Sequence, residues 1–333
     1  MKRAATDYSL LVAVDKPQGM SSHDVVNRCR RIFGEKRVGH TGTLDPLATG
    51  VLPICIGPAT RLDRFMVGHD KSYDVRIAFG YETSTDDREG EPTVVCPVSA
   101  RLSSESFARR VLETQIGPQM QVPPQYSAVK IDGKPAYARA RAGAEVELAA
   151  RAVEVYAADL LGISHDDETD LVFWDVRFSV SKGTYIRSLA RSVGRVAQCP
   201  AHVFELRRIQ AGSIRLEDCV TLDRLEDVRE RAALDPVAVL GYRFAFADDR
   251  ESLVRNGGRF AAHDLELFDF APRPILEAGS LCSSAFEPSC KRPEPGEVVA
   301  LVARGSLIAL YEFDSDRGCW KSCCGFSVGV SRG

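Results

Sequence analysis

Three observations on the sequence predict an α+β fold in two domains. As far as about residue 215, apolar segments of strand type alternate with amphipathic segments of helical type. Beyond about residue 235 the helical pattern stops and a β-rich segment follows. The chain of 333 residues is also longer than a typical single domain. We therefore expect a larger domain over 1–235 and a small β-rich domain over 240–333.

The larger domain begins with a strand, a helix and two further strands. "LLVAVDKPQG" is an apolar run that enters a turn at Lys16-Pro17. In "SSHDVVNRCRRIFG", Ser21 or Ser22 is the expected N-cap and Gly34 the stop signal. The apolar face of this helix consists of Val25, Val26, Cys29, Ile32 and Phe33. "VLPICIG" and "SYDVRIAFGY" have the composition of buried strands.

The remaining elements follow in the same way. "ESFARRVLETQIG" predicts a helix that ends at Gly117. The stretch 121–151 is rich in proline, glycine and basic residues, and predicts an extended excursion from the core. "VEVYAADLLGISH" and "LVFWDVRFSVS" form a predicted hairpin, "GTYIRSLARSVGRVAQ" a helix and "VFELRRIQAGSI" a returning strand. In the small domain, two strands are expected around Arg304-Gly305, and 265–296 is an irregular insert.

Composition excludes several classes of protein. The chain is 44% hydrophobic and 27% charged, as in ordinary globular proteins. No apolar run approaches the roughly 20 residues of a membrane helix, and the N-terminus lacks a cleavage site of signal-peptide type, so we expect a cytoplasmic protein without a membrane. The ten cysteines are scattered without a CxxC pair. A metal or redox site at Cys319, Cys323 and Cys324 is conceivable, but free thiols are the simpler interpretation.

The distribution of charge is more informative than its total. The net charge of -3 argues against a uniformly basic nucleic-acid-binding protein. Residues 175–215, however, carry eight basic and two acidic side chains, whereas 216–333 carry fourteen basic and twenty acidic ones. A local basic surface on a mildly acidic protein can still bind a polyanion, although charge alone favours a solvated helix face.

One short stretch, "HTGTLDPLATG" at 40–50, holds a single carboxylate, Asp45, among glycines and hydroxyls. By itself Asp45-Pro46 is typical of a turn. The sequence has no second specified acid as in glycosidases, no GxSxG elbow, no Walker loop or GxGxxG, and no histidine spacing of metal-site type. What remains is one carboxylate acting as nucleophile or general base, held ionised by a buried arginine.

Five blocks in order resemble the bacterial tRNA pseudouridine(55) synthase family. They are "KPQGMSSHDVV", "GHTGTLDPLATGVLPICIGPATR", "KSYDVRIAFGYETSTDDREG", "QVPPQYSAVKIDGKPAYARARAG" and "SKGTYIRSLA…AHVFELRRIQAG". The resemblance covers about residues 9–215. It implies an isomerase that flips the T-loop uridine of tRNA and converts it to pseudouridine, acting as a monomer on the T-arm stem-loop without cofactor or metal.

The resemblance also implies a fold. The catalytic domain would have a large mixed, mainly antiparallel sheet flanked by helices, with 121–151 as a thumb-like RNA-binding segment. The C-terminal domain would resemble a PUA-like barrel.

Four residues match the catalytic positions of the family. Asp45 matches the catalytic aspartate, and Arg187 matches the arginine that pairs with it; alone, Arg187 would be an ordinary helix ion pair. Tyr73 matches the tyrosine that stacks on the target base, although strand alternation alone would make it a core residue. Tyr185 matches a second active-site tyrosine near the base.

Other residues match RNA-binding positions. His40 lies at the expected RNA-facing edge of the motif, and Leu206 matches an apolar residue packed against the base, or is a plain core leucine. Phosphate contacts are expected from the basic side chains Lys130, Lys134, Arg139, Arg141, Arg207 and Arg208. Two alternatives stay open: a tRNA-binding or tRNA-folding protein on the same fold, and a related synthase acting on another RNA.

Overall fold

The computed structural model describes residues 8–124, 148–270 and 288–333, together with the backbone of two short strands at 130–131 and 134–135. The chain forms two compact units. The central unit, named for its place in the sequence, comprises Leu47–Thr49 and His69–Ile209. The composite unit is drawn from Met1–Pro46, Gly50–Gly68 and Gln210–Gly333. These units do not follow the predicted domains 1–235 and 240–333, which stay a prediction.

The central unit is built on a sheet with the strand order β12-β4-β11-β10-β7. The strands of this sheet are β4 (Lys71–Phe79), β7 (Gly117–Gln121), β10 (Arg151–Asp166), β11 (Leu171–Val180) and β12 (Ala201–Ala211). The pairs β4–β11, β11–β10 and β10–β7 are antiparallel. The predicted hairpin is therefore confirmed as β10 and β11.

In the described part of the central unit, two small hairpins and two helices accompany this sheet. The hairpins and helices are β5 (Tyr81–Thr83) with β6 (Pro92–Val95), β8 (Lys130–Ile131) with β9 (Lys134–Pro135), α3 (Glu105–Glu113) and α4 (Ile186–Ala197). Helix α3 ends at Glu113, four residues before the predicted stop, because Gly117 has φ +111° and begins strand β7.

The core of the central unit is centred on Trp174 of β11. This side chain is fully buried, packs against the Phe79 ring with centroids 4.5 Å apart and planes tilted by 53°, and donates its indole N–H to the Leu102 carbonyl at 2.8 Å. This bond satisfies the polar atom of the buried ring.

The N-terminal part of the composite unit contains strand β1 (Leu10–Lys16), helix α1 (Ser22–Phe33), strand β2 (Val38–His40) and strand β3 (Thr49–Ile56). Both β1 and β2 pair antiparallel with β3. The predicted apolar face of α1 is buried, Ser21 is its N-cap, and Gly34 ends it in the left-handed conformation at φ +64°.

The C-terminal part of the composite unit is a sheet with the order β14-β16-β17-β18-β15. Its strands are β14 (Phe244–Phe246), β15 (Phe260–Ala261), β16 (Val298–Ala303), β17 (Ser306–Asp314) and β18 (Cys319–Ser331). The two predicted strands are confirmed as β16 and β17, and Arg304 and Gly305 join them with positive φ at both positions. The β-rich pattern is thus confirmed.

Short elements link these parts. They are α2 (Asp63–Met66), β13 (Ile214–Arg215), α5 (Leu222–Val228), α6 (Pro236–Leu240) and α7 (Glu251–Arg255), with 3-10 turns at Gly57–Leu62, Ala100–Ser103, Leu216–Asp218, Arg229–Ala232 and Asp248–Arg250.

One hydrophobic core joins the N-terminal strands to the C-terminal sheet. Leu11 of β1 and Val51 of β3 belong to the same buried cluster as Phe244, Leu307 and Val330. Burial of apolar surface at ~25 cal/mol per Å² makes such a shared core the main force that holds this unit together.

The predicted insert 265–296 is only partly described. At its start Leu265, Leu267 and Phe268 are buried in the cores of the composite unit, although no helix or strand covers this part. Residues 271–287 lie outside the described part of the chain. Among the described residues, no helix is long and apolar enough to cross a membrane.

Candidate active site

Asp45 lies in a loop of the composite unit whose backbone is fixed on both sides of the acid. On the N-terminal side, the Ser22 hydroxyl donates to the Leu44 carbonyl at 2.9 Å and accepts from the Leu44 N–H at 2.8 Å. Ser22 is 2% exposed and begins helix α1, so both polar groups of the Leu44 backbone are satisfied by one buried hydroxyl.

On the C-terminal side, the Pro46 carbonyl is held by two donors. The Gly19 N–H donates to it at 2.9 Å, and the Lys16 ammonium at 3.4 Å. Lys16 is fully buried, and its Nζ also donates to the carbonyls of Pro17 at 2.9 Å and Met20 at 2.5 Å. A buried ammonium that binds three carbonyls fixes the turn around Asp45, which is itself half-buried.

His40 belongs to strand β2, at the start of the same motif. It pairs with Ile54 of β3, and the next residue, Thr41, donates its N–H to the Pro53 carbonyl at 3.1 Å. The segment that carries Asp45 therefore leaves the sheet at a defined point.

Arg187 lies in the first turn of α4 in the central unit and is 5% exposed. Its Nη1 donates to the Thr85 carbonyl at 3.0 Å and to Asp87 Oδ2 at 3.2 Å. The predicted pairing of Arg187 with Asp45 stays a prediction, while the structure supplies a second carboxylate that sequence reasoning missed.

Asp87 is itself held firmly. It is 4% exposed, and its Oδ1 accepts from the Thr85 hydroxyl at 2.5 Å and from the Glu89 N–H at 3.1 Å. Three donors therefore satisfy this buried carboxylate. The acid-rich string "TSTDDREG" was the only signal in the sequence that could have pointed to it.

The preceding residue forms a parallel ion pair one helical turn further along α4. Asp86 Oδ2 accepts from Arg191 Nη1 at 2.6 Å. Burial raises the pKa of Asp86, and the positive charges of Arg191 and Arg187 oppose that rise. The loop after β5 is thus tied to α4 by two adjacent aspartates.

Tyr185 is the N-cap residue of α4 and is bound by one amide side chain. Its N–H donates to Gln121 Oε1 at 2.7 Å, and its carbonyl accepts from Gln121 Nε2 at 3.1 Å. Gln121, the last residue of β7, is 7% exposed and was not identified from sequence. This two-point contact fixes the backbone that carries the tyrosine ring.

Tyr73 and Leu206 are both 7% exposed, on β4 and β12 of the central unit. Tyr73 lies opposite Phe178 in the β4–β11 pair. The Leu206 carbonyl accepts from the Thr49 hydroxyl at 3.5 Å. Such burial is compatible with a core role and with a role as an apolar platform for a base.

The predicted phosphate-binding residues have different environments. Arg207 is half-buried and donates from Nη1 to the Thr49 hydroxyl at 3.2 Å. Arg208 is 1% exposed, so its guanidinium is not presented to a phosphate on the surface. Lys130 and Lys134 lie in β8 and β9, where the backbone alone is described, and Arg139 and Arg141 lie outside the described residues.

The interior position of Arg208 has an electrostatic consequence for Lys71. Burial lowers the pKa of Lys71 to about 8, with the positive charges of Arg208 and Lys182 adding to the effect and Asp70 opposing it. Lys71 and Lys182 are thus further members of the basic region that sequence reasoning did not single out.

Two family models match consecutive parts of the chain. Residues 30–186 match the TruB family pseudouridylate synthase (N terminal domain), and residues 187–239 match the tRNA pseudouridylate synthase B C-terminal domain. The tRNA pseudouridine synthase B of Geobacillus kaustophilus is 43% identical over 223 residues, which is 67% of this chain and 77% of that protein. That of Paenarthrobacter aurescens is 40% identical over 294 residues, covering 88% and 90%.

Solved structures show the same fold at lower identity. An H/ACA RNP bound to a substrate RNA containing 2′-deoxyuridine matches with a TM-score of 0.66 at 21% identity, covering 96% of this chain and 86% of that one. A Cbf5-Nop10-Gar1 complex matches with a TM-score of 0.64 at 23% identity, covering 98% and 86%. With the antiparallel sheet and its helices, these matches confirm the predicted α+β fold class, and on the sequence matches the chain belongs to the TruB family of pseudouridylate synthases.

Proposed function

We propose that this protein converts the uridine at position 55 in the T-loop of tRNA to pseudouridine, with Asp45 as the acting carboxylate. The observation that carries the proposal is the fixed backbone around Asp45: Ser22 holds Leu44, and Lys16 with Gly19 holds Pro46. A reacting group must be held within a narrow range of positions before the substrate arrives. A surface turn without a function would not require a buried lysine for that purpose.

The chemistry is an isomerisation in which every atom is retained. The N-glycosidic bond between uracil N1 and ribose C1′ breaks, the ring turns, and a carbon bond forms between C5 and C1′, with loss of the C5 proton and protonation of N1. One carboxylate suffices as nucleophile or general base for this sequence of steps.

The uridine must leave the folded loop before it can reach Asp45. Flipping costs a few kcal/mol, and an aromatic side chain that stacks on the base returns roughly 1–3 kcal/mol. In the proposal Tyr73 supplies that platform, Leu206 packs on the base, and Tyr185 assists the proton movement at C5. Arg187 keeps Asp45 ionised, and Asp87 orients Arg187.

Contacts with the rest of the T-arm would come from basic and loop residues. His40 holds the flipped loop, Arg207 contacts a phosphate, and the segment 121–151 with Lys130 and Lys134 closes on the RNA as a thumb. We expect the protein to act as a cytoplasmic monomer, and the C-terminal sheet to contribute a PUA-like RNA contact.

The test uses a uridine-containing T-arm transcript and full-length tRNA, with pseudouridine mapped at each position. We expect Asp45→Asn to abolish pseudouridine formation while tRNA binding stays within a few fold. Asp316→Asn, at an exposed turn of the composite unit, is the matched control and should keep full activity. Turnover by the Asp45 variant would refute its role, and modification at another position alone would favour the related synthase.

The alternative of a tRNA-binding or tRNA-folding protein without catalysis makes a different prediction in the same experiment. The wild-type protein would then bind the transcript without forming pseudouridine at any position.

A further inference from the structure

Two cysteines of the central unit lie next to each other in space although 103 positions separate them in sequence. Cys96 follows strand β6, Cys199 follows helix α4, and their Sγ atoms are 3.5 Å apart. Both are free thiols. A disulfide bond is about 2.05 Å long, so the two sulfur atoms would have to approach each other by about 1.5 Å to form one.

The backbone holds both cysteines in place. Cys96 donates its N–H to the Gly80 carbonyl, and Gly80 donates its own N–H to the Pro200 carbonyl, both at 2.9 Å. Cys199 donates its N–H to the Gly194 carbonyl at 3.0 Å, and a Cβ at Gly194 would lie only 2.8 Å from the Cys199 carbonyl oxygen. The two thiols are therefore neighbours because of a fixed backbone arrangement.

The two thiols differ in accessibility. Cys96 is half-buried, whereas Cys199 is 3% exposed. Burial, with the neighbouring Cys96 adding to it, raises the pKa of Cys199 to about 12, while the Arg101 charge opposes that rise. An oxidant from solution therefore reacts first at Cys96, and Cys199 takes part only in the second, intramolecular step.

We propose that Cys96 and Cys199 form a thiol-oxidation site that closes to a disulfide in the presence of a small disulfide oxidant. In the first step the Cys96 thiolate attacks oxidised glutathione, which gives a mixed disulfide and releases one glutathione. In the second step the Cys199 sulfur attacks the Cys96 sulfur, the proton of the Cys199 thiol passes to the leaving glutathione thiolate, and the second glutathione is released as a thiol. Two protein thiols are oxidised and one glutathione disulfide is reduced to two thiols.

The bridge would reinforce a connection that ion pairs already make. The segment that carries Asp86 and Asp87 before Cys96 is tied to α4 through Arg191 and Arg187. A disulfide at the other end of α4 would close a loop of about 100 residues, which restricts the unfolded chain. We expect the oxidised protein to keep the Arg187–Asp87 pair and to unfold at a higher urea concentration.

The experiment treats the full-length protein with oxidised glutathione, blocks the remaining thiols, and identifies linked peptides by mass spectrometry. We expect a Cys96–Cys199 peptide in the wild type. The Cys199→Ser variant should accumulate glutathione on Cys96, and the Cys96→Ser variant should leave Cys199 unmodified. The Cys290→Ser variant, which removes an exposed thiol, is the matched control and should form the bridge at the wild-type rate.

Three results would overturn the proposal. One is glutathione on Cys290 without any Cys96–Cys199 peptide. Another is modification of Cys199 in the Cys96→Ser variant at the wild-type rate. The third is a urea midpoint that the bridge does not raise, or a rise that also occurs in Cys199→Ser. The test does not involve Asp45, so its outcome is independent of the proposed function.

Discussion

Asp45 and Asp87 are two acids that the molecule holds in opposite ways. The loop of Asp45 is fixed through its backbone, by a buried hydroxyl and a buried ammonium that bind the carbonyls beside it. Asp87 is fixed through its side chain, by Arg187, the Thr85 hydroxyl and the Glu89 N–H. The first arrangement positions a carboxylate through the backbone on either side of it, whereas the second uses the oxygen atoms of the carboxylate to position another residue.

The largest expected effect is at Asp87. Asp87→Asn removes the negative charge from the buried contact with Arg187, and removal of one member of a buried ion pair costs about 3–5 kcal/mol. We expect a loss of that size in the free energy of unfolding, measured in urea, together with a lower turnover.

The matched control for this prediction is Asp74→Asn. Asp74 also binds an arginine, Arg177, through two hydrogen bonds at 2.7 and 2.9 Å, but their side chains are 33% and 45% exposed. Exposed pairs contribute at most about 1 kcal/mol. Equal losses in the two variants would show that burial is not what distinguishes Asp87.

The second-largest effect is expected at Ser22, which holds the backbone next to Asp45. Ser22→Ala removes both hydrogen bonds to Leu44 and should cost about 1–3 kcal/mol of stability. Because the Asp45 loop then loses an anchor, kcat should fall about tenfold with KM unchanged, equivalent to roughly 1.4 kcal/mol.

Ser21→Ala is the control for Ser22. The Ser21 hydroxyl accepts from the Asp24 N–H and caps the same helix, so its loss should cost about 1 kcal/mol of stability. Turnover should not change, because Ser21 does not contact Leu44. A fall in kcat for both variants would attribute the effect to helix α1 as a whole.

The smallest effect concerns pH and His202, a fully buried residue near Asp87. Its Nδ1 lies 3.0 Å from the Tyr81 carbonyl. Burial lowers the pKa of His202 below the usual 6.5, and the Tyr81 carbonyl and the Asp87 charge oppose this decrease. Between the folded pKa and 6.5 the unfolded state binds more protons, so stability falls as the pH falls through that window.

The measurement is the thermal midpoint at pH 7.5 and 5.5. The asparagine in His202→Asn does not titrate. On acidification, the thermal midpoint of this variant should therefore fall by about 2 °C less than that of the wild type. His263→Asn changes an exposed histidine and should behave as the wild type. The same acid response in all three proteins would remove His202 as its source.

The same comparison explains what could be predicted from sequence. The Asp45 loop is a contiguous motif, so its residues could be identified together, and α1 with its cap and stop follows from local signals. The Asp87–Arg187 pair joins residues 100 positions apart, and no local pattern contains that contact. The ends of α3 and α4 were misplaced by a few residues because tertiary contacts determine where a helix stops.

Arg207 and Arg208 show a second reason why the site residues could not all be predicted from the sequence. Adjacent residues of a strand point to opposite faces. Leu206 and Arg208 are both buried on one side of β12, and Arg207 is on the other. Strand alternation alone would therefore have separated the two arginines, whereas their shared charge suggested one common surface.

The core shared by β1, β3 and the C-terminal sheet has a consequence for protein synthesis. A ribosome releases Leu11 and Val51 early, but their partners Leu307 and Val330 emerge last. The central unit is almost continuous in sequence, so it can fold first. The N-terminal strands keep their apolar surface exposed until the C-terminal sheet has been synthesised. The bond of Arg332 to Asp235, buried at both ends, completes the unit. Chain termination before β18 would therefore leave the first strands of the protein with an incomplete core.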